Sequence, residues 1–159
     1  MIQREIITDH GDAGEYFRAV ADDQAVAGYN IAADGNNSLA EQLAMVARMI
    51  KVRQALGQNR NIFFVSLGGF DTHSTQMPDN GQPRLLRRIS RALGSFYRAL
   101  EEMGLENNVT TFTASEFSRT LNSNGDGSDH GWGGQSLVMG GSVDGGKLFG
   151  TFPDLTLNG

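Results

Sequence analysis

The sequence predicts an α/β fold with a mostly parallel sheet flanked by helices. Two long amphipathic patterns alternate with short apolar or β-branched runs along the chain. An order of helix, strand, helix, strand is typical of α/β domains, where each helix crosses over the sheet between parallel strands. The apolar run at residues 62–65 is continuous, which indicates a strand that is covered on both faces.

The first helix is predicted over residues 38–57. Ser38 with Glu41 three residues later matches a capping box, and Gly57 is a natural C-terminal stop. Apolar residues at helical spacing form two stripes, which is typical of a largely buried helix. The stripes are Leu39, Leu43, Val46 and Ile50, and Met45, Met49, Val52 and Leu56. Residues 1–37 carry weak patterns and are treated as a variable N-terminal segment.

The remaining elements follow in order. After the strand at 62–65, a second helix is predicted over residues 82–104, with Gly104 as its end. Its apolar residues keep helical spacing: Leu85, Ile89, Leu93, Phe96 and Leu100. Residues 108–117 are rich in β-branched and aromatic residues and predict a second strand. Residues 135–141 predict a third strand, after a glycine-rich loop.

Composition limits the classes of function. The chain has 159 residues, 39% of them hydrophobic, and a mean hydropathy of −0.31, which describes one soluble globular domain or part of a larger one. A net charge of −5 gives no electrostatic support for a nucleic-acid partner. There is no cysteine, so disulfides and thiolate sites are excluded. No apolar run approaches membrane-spanning length, so we expect no membrane span.

Acidic and histidine residues follow the predicted strands. Asp71 and His73 come after the first strand, Glu116 ends the second, and Asp129 and His130 precede the third. Ligands of open α/β sheets bind beyond the carboxyl ends of the strands, so these side chains are expected at one edge. Side chains at positions i and i+2 of an extended segment point the same way, whereas adjacent ones point apart. Asp129 and His130 therefore serve two ions, or one of them lies outside the ligand shell.

Imidazole together with carboxylate favours a divalent metal, with zinc or manganese expected and calcium less so. Each residue alone has a simpler explanation: Asp71 as a turn cap, Glu116 as a salt-bridge partner, His130 packed under Trp132. Their joint placement at strand ends favours the metal site. The oxygen-bearing residues of the loop 122–126 resemble a calcium loop only weakly, because the usual downstream bidentate Glu is missing.

Three stretches resemble the bacterial family called domain of unknown function 1501. They are "FFVSLGGFDTHSTQ", "VTTFTASEFSRTLNSNGDGSDHGWGG" and "LVMGGSVDGGKLFGTFPDL", and the resemblance runs from about residue 38 to residue 159. That family in turn is similar to the alkaline-phosphatase and sulfatase superfamily. The resemblance implies an alkaline-phosphatase-like α/β fold, a two-metal site at the strand ends, and hydrolysis of phosphate or sulfate esters.

The resemblance also implies roles for single residues. Asp71 and His73 correspond to an acid and a histidine that hold one metal, and His130 resembles a late histidine that returns to it. Glu116 stands where many members have an Asp-His pair for a second metal, and Phe117 occupies the place of that histidine.

Two further residues have implied roles. The resemblance makes Asp129 an accessory residue beside the metal ligands. It makes Arg119 a candidate for binding an anionic oxygen. The resemblance implies small anionic esters or glycans as substrates. Export signals are frequent in the family, which implies a periplasmic or cell-surface protein, although no signal is visible in this chain.

The superfamily's first metal aspartate and its Ser or Thr nucleophile would lie upstream of these residues. We therefore expect residues 38–159 to be the C-terminal part of an incomplete domain. It would contain no catalytic nucleophile, show no activity alone, and have exposed sheet edges that favour self-association. Two alternatives stay open: a non-catalytic, metal-containing protein of the cell envelope that binds an anion or glycan, and a purely structural α/β domain.

Overall fold

The computed structural model describes residues 38–78, 81–131 and 133–151. It contains two helices and four short strands: α1 (Ser38–Lys51), α2 (Gln82–Glu102), β1 (Thr111–Phe112), β2 (Ser118–Ser123), β3 (Ser128–Gly131) and β4 (Val138–Met139). The predicted variable segment 1–37 and the end of the predicted domain, 152–159, lie outside the described residues.

Helix α1 begins at Ser38 as predicted but ends at Lys51, six residues before Gly57. Turns continue the chain to Gly57, whose φ of +65° is the left-handed conformation that glycine tolerates. One predicted stripe is buried, with Leu39, Leu43 and Ile50 all below a tenth exposed. The second stripe is not, since the side chain of Met45 is exposed. The helix therefore buries one face, not two.

Helix α2 confirms the predicted C-terminal stop. Gly104 has a φ of +65°, and its N–H donates to the carbonyl of Glu101 at 2.9 Å. The N–H of Leu105 donates to the carbonyl of Leu100, also at 2.9 Å. This pair of bonds is the Schellman motif, which satisfies carbonyls that a helix end leaves without partners.

The core lies between the two helices. Ala47 of α1 and Ala92 and Ala99 of α2 are almost completely buried, and such small side chains allow the helix backbones to approach closely. Phe96 and Leu100 are the largest fully buried side chains. The predicted apolar face of α2 is therefore the face that packs against α1.

Residues 62–65, which were predicted to form a strand, pair with no strand among the described residues. Exposure nevertheless alternates along this segment, because Ile62 and Phe64 are more than nine-tenths exposed while Val65 and Leu67 pack against the helical core. The side-chain amide of Gln42 on α1 makes the two hydrogen bonds that a neighbouring strand would make to Ser66. It donates to the Ser66 carbonyl at 2.9 Å and accepts from the Ser66 N–H at 3.0 Å. The segment has the exposure pattern of a strand without a strand ladder.

The strands of the described residues form two antiparallel pairs. β1 pairs with β4, with Thr111 opposite Met139 and Phe112 opposite Val138. β2 and β3 form a hairpin in which Arg119 lies opposite His130. The second and third predicted strands thus appear, shortened, as β1 and β4, whereas the hairpin falls in a stretch predicted as loop.

The predicted parallel sheet does not occur among the described residues, whose strand pairings are all antiparallel. A mostly parallel, alkaline-phosphatase-like sheet stays a prediction, as does self-association through exposed edges. Within the described ranges, no helix has the length and apolar character needed to cross a membrane, as the sequence predicted.

Candidate metal centre

Asp71 and His73 lie in the loop that follows the apolar segment 62–67. Gly69, two residues before Asp71, has a φ of +95°, a backbone conformation that favours glycine. The two side chains point the same way, as their i, i+2 spacing predicts, and Asp71 Oδ1 lies 3.0 Å from His73 Nε2. Thr75 follows with a φ of +51°, which is rare for a β-branched residue.

The β2–β3 hairpin brings His130 to the same point. His130 lies on β3, and its Nε2 atom is 2.9 Å from Asp71 Oδ1. A Cβ at Gly131 would lie 2.5 Å from the Thr120 N atom, so only glycine permits the strands to approach this closely. Asp71 is therefore shared by two imidazoles from segments far apart in the sequence.

One ligand atom from each of Asp71, His73 and His130 lies within 4.8 Å of the other two. We call this group the DHH cluster. Its side chains are about half exposed, between 48% and 60%, so an ion and a small ligand can reach them from solvent. In the described part of the chain, the structure thus brings these three predicted residues together.

Asp129 lies behind His73 and not on the side of the cluster. Its Oδ1 atom is 3.0 Å from His73 Nδ1, the ring nitrogen that does not face Asp71. An ionised carboxylate only accepts hydrogen bonds, so Nδ1 is the donor in this contact. A carboxylate behind a metal-binding histidine fixes the orientation and tautomer of the ring. The adjacent residues Asp129 and His130 thus reach the site from different sides.

Both carboxyl groups have a pKa below the ordinary value of 3.8. For Asp71 the largest cause is the hydrogen bond from His130, and partial desolvation opposes it. For Asp129 the largest cause is the hydrogen bond from His73, followed by the one from Asn124. Each hydrogen bond favours the ionised carboxylate, so both groups carry their charge at neutral pH.

The DHH cluster fits a divalent cation. When His73 is neutral and donates from Nδ1, its Nε2 lone pair faces the Asp71 carboxylate at 3.0 Å, so a cation between these two atoms would be attracted by both. Two donors that are each about 2.1 Å from a shared ion lie about 3.0–3.4 Å apart. Separations of 2.9 and 3.0 Å are near this range.

Glu116 and Phe117 do not join the cluster. Glu116 is exposed, and among the described residues the metal-type grouping consists of the DHH cluster alone. The Phe117 ring stacks on the His130 ring, with centroids 4.1 Å apart and planes tilted by 10°. Phe117 thus packs against His130, a member of the DHH cluster. The role predicted for Glu116 at a second metal stays a prediction.

Arg119 contacts the backbone on both sides of the site. Its guanidinium donates to the carbonyls of Phe70 and Ser128, the residues directly before Asp71 and Asp129. These bonds tie together the two segments that carry the acidic residues. Anion binding by Arg119 stays a prediction. The observed contacts give the same side chain a structural role, because it connects the two loop segments.

Sequence reasoning missed the part that Asn124 plays. Its Nδ2 group donates to Asp129 Oδ1 at 3.1 Å and to the His73 carbonyl at 2.9 Å. Its Oδ1 atom accepts from the Gly127 N–H at 2.8 Å and so caps its own turn. The string "NSNGDG" signals a turn, but nothing in it shows which residue the turn contacts. Because both ends of the amide have partners within the protein, the weak calcium-loop resemblance finds no support at this residue.

Comparisons with known proteins bear on the family. A family model described as "Protein of unknown function (DUF1501)" matches residues 12–158. Comparison with curated proteins gave no match, and comparison with solved structures gave none either. Since the matched residues make up most of the sequence and include the whole DHH cluster, the chain belongs to the DUF1501 family.

Proposed function

We propose that the DHH cluster is the metal-holding part of a metal-dependent hydrolase of phosphate or sulfate esters. The observation that carries the proposal is the convergence of one carboxylate and two imidazoles, from segments 57 residues apart, on one half-exposed point. Three protein ligands with room for a further one are the pattern of catalytic zinc sites, whereas structural zinc sites are closed by four.

The proposed metal is zinc or manganese. Two imidazoles and one carboxylate suit either ion, whereas calcium prefers oxygen ligands alone. A bound divalent ion would act as a Lewis acid on a phosphoryl or sulfuryl oxygen. The chain's own residues hold and orient the site: Asp129 fixes the His73 ring, and Arg119 joins the segments that bear Asp71 and Asp129.

The proposed substrate is a small anionic ester. Exposure of the ligand side chains leaves the site open to a small molecule. The resemblance to the alkaline-phosphatase and sulfatase superfamily supports phosphate or sulfate as the group attacked, and supports a periplasmic or cell-surface location. Both belong to the proposal and rest on that resemblance.

A second candidate is a non-catalytic protein of the cell envelope that uses one metal to bind an anion or a glycan. The stacking of Phe117 on His130 favours it, because an apolar ring occupies the place where the resemblance puts a histidine for the second metal. One ion is enough to hold an anion, whereas two-metal hydrolases use both ions on the attacking and leaving oxygens.

Metal content and turnover test the proposal together. A version of the protein that includes the upstream segment implied by the resemblance, which would carry the nucleophile, is loaded with Zn²⁺ or Mn²⁺, dialysed, and assayed with p-nitrophenyl phosphate and p-nitrophenyl sulfate. We expect retained metal and ester turnover, both lost in His73→Ala and His130→Ala. The control is His10→Ala, which removes the third histidine of the chain and should change neither.

Each remaining outcome decides between the candidates. Metal retained through His73 and His130, with metal-dependent phosphate binding but no turnover, supports the binding protein and rejects the hydrolase. Equal metal content in the wild type, His73→Ala and His130→Ala would overturn both candidates and leave the structural α/β domain.

A further inference from the structure

We infer that Asn124 is a positioning residue for the metal site, which acts through Asp129 to hold His73 with its proton on Nδ1 and its Nε2 atom directed at the DHH cluster. The inference rests on the proposed metal site but concerns a different residue. Asn124 touches no ligand atom of the DHH cluster. Its effect is transmitted along a chain of hydrogen bonds.

The first link is the direct bond between Asn124 and Asp129. Asn124 Nδ2 donates at 3.1 Å to Asp129 Oδ1, the same oxygen that accepts from His73 Nδ1 at 3.0 Å. The side chain of Asp129 is 60% exposed, so packing alone does not hold its rotamer. A second donor on the same oxygen fixes where that oxygen lies, and therefore where the His73 ring points.

The second link joins Asn124 to the His73 backbone. The same Nδ2 group donates to the His73 carbonyl at 2.9 Å, which holds the ring's own backbone against the turn. Asn124 thus contacts both the residue that orients the ring and the residue that carries it. This double contact sets the distance between Asp129 and His73.

The third link is the turn itself. Asn124 Oδ1 accepts from the Gly127 N–H at 2.8 Å, which closes the turn between β2 and β3. The turn sits directly on the backbone of the loop that holds the ligands: a Cβ at Gly127 would lie 2.7 Å from the Thr72 carbonyl. The Gln76 N–H donates to the Asp126 carbonyl at 3.1 Å and adds a further bond between turn and loop. Asn124 is therefore held rigidly enough to position other groups.

The amide orientation of Asn124 follows from its partners. Nδ2 faces two acceptors, and Oδ1 faces a backbone donor. A flipped amide would place two acceptors face to face at both contacts and would leave the Gly127 N–H facing a donor. The donor role toward Asp129 is thus the only one that satisfies the surroundings.

The test separates the donor role of Asn124 from its capping role. Asn124→Asp keeps an oxygen for the Gly127 N–H but cannot donate to Asp129 or His73, and it places a like charge beside Asp129. Asn124→Ala removes all contacts. Asn122→Asp is the control: it makes the same change of charge on the exposed part of β2. Circular dichroism verifies that each variant is folded.

The first readout is the tautomer of His73, measured by long-range ¹H–¹⁵N correlation in the metal-free and the zinc-loaded protein at pH 7.5. The chain has only three histidines, so the signals can be assigned by substitution. We expect His73 to carry its proton on Nδ1 in the wild type and in Asn122→Asp. In Asn124→Asp and Asn124→Ala the Nδ1 proton should exchange faster or move in part to Nε2.

The second readout is zinc affinity, measured by competition with a chromogenic chelator. Loss of a residue that orients a metal ligand typically costs about 10–100-fold in affinity. We expect a loss in this range for Asn124→Asp and Asn124→Ala, and less than about threefold for Asn122→Asp.

The outcomes distinguish this inference from the proposed function. A His73 protonated on Nε2 in the wild type, or an unchanged tautomer in Asn124→Asp, overturns the inference whether or not zinc binds. Equal zinc affinity in Asn124→Asp and Asn122→Asp also overturns it. A tautomer that depends on Asn124 in a protein that binds no zinc supports the positioning role and rejects the metal function instead.

Discussion

Asp71 and Asp129 differ in role although both bond to His73. Asp71 faces Nε2 and belongs to the DHH cluster, whereas Asp129 faces Nδ1 and orients the ring. The spacing of residues 71 and 73 predicted the first contact, because side chains two apart in an extended segment share a side. Nothing in the spacing of residues 129 and 130 indicated which of them is the ligand.

Acid should reduce the stability of the metal-free protein through these two carboxylates. Their pKa values are lowered in the folded protein, so each contributes stability that is present above the unfolded value of 3.8 and is lost as the pH falls through the folded value. The difference in unfolding free energy between the wild type and Asp129→Asn should therefore be largest above about pH 4. It should shrink as the pH falls below that value. Urea unfolding in the presence of EDTA measures this gap.

The control for this pH dependence is Asp126→Asn, which removes an exposed carboxylate from the same turn. Its gap from the wild type should be smaller, because no side-chain hydrogen bond to a histidine is lost with it. A gap for Asp129→Asn that does not shrink as the pH falls below about 4 would mean that the ionised carboxylate gains no stability from His73 and Asn124.

The helices and the hairpin were predictable to different degrees. The apolar spacing of helix α2 and the glycine at its end are local features of the sequence. The structure confirms the buried face and the Schellman motif at Gly104 that they predict. Helix α1 is shorter than predicted, since turns replace the helix after Lys51, and Met45 of its second apolar stripe is exposed. The β2–β3 hairpin was not predicted, because its strands are polar and one is interrupted by a register shift. Polar, irregular strands lack the alternation that identifies strands in a sequence.

Gly127→Ala should destabilise the hairpin and its contact with the ligand loop. The added Cβ would lie 2.7 Å from the Thr72 carbonyl and closer still to the backbone of His73, so the turn must move away from the loop. We expect a loss of roughly 1–3 kcal/mol in unfolding free energy, typical of overpacking, and a weaker metal site. Thermal unfolding and zinc titration measure the two effects.

Gly94→Ala is the matched control, with an expected effect of opposite sign on stability. Gly94 lies inside α2, and a Cβ there meets nothing within 4 Å. Replacing glycine by alanine within a helix stabilises it by about 0.5–1 kcal/mol. Zinc affinity should not change. A Gly127→Ala variant as stable as the wild type would show that the turn does not depend on its close approach to residues 72 and 73.

Among the described residues, no member of the DHH cluster belongs to the main hydrophobic core. The core is formed by α1, α2 and the apolar residues packed on them, whereas the ligands come from the loop after residue 67 and from the β2–β3 hairpin. Hydrogen bonds and the Arg119 contacts, more than apolar burial, hold the ligand segments together. A bound metal ion would therefore connect the ligand loop to the β2–β3 hairpin, which the hydrophobic core does not do.

Metal should raise the thermal stability of the protein. An ion that binds only the folded chain stabilises it by about 2.7 kcal/mol when its free concentration is 100 times the dissociation constant. Scanning calorimetry should show a higher Tm with Zn²⁺ or Mn²⁺, and EDTA should reverse the rise. His10→Ala should keep this response and His73→Ala should lose it. The same rise in His73→Ala would show that the ion binds elsewhere.

The sequence alone determined the start of α1, the position and end of α2, the residue types of the site and the shared direction of Asp71 and His73. These features depend on neighbours within about five residues, where backbone geometry fixes which side chains meet. The tertiary structure alone decided that His130 joins the cluster, that Asp129 and Asn124 stand behind His73, and that Phe117 packs on His130. Those contacts join residues about 50 or more positions apart, or depend on the register of the β2–β3 hairpin, and local spacing does not specify either.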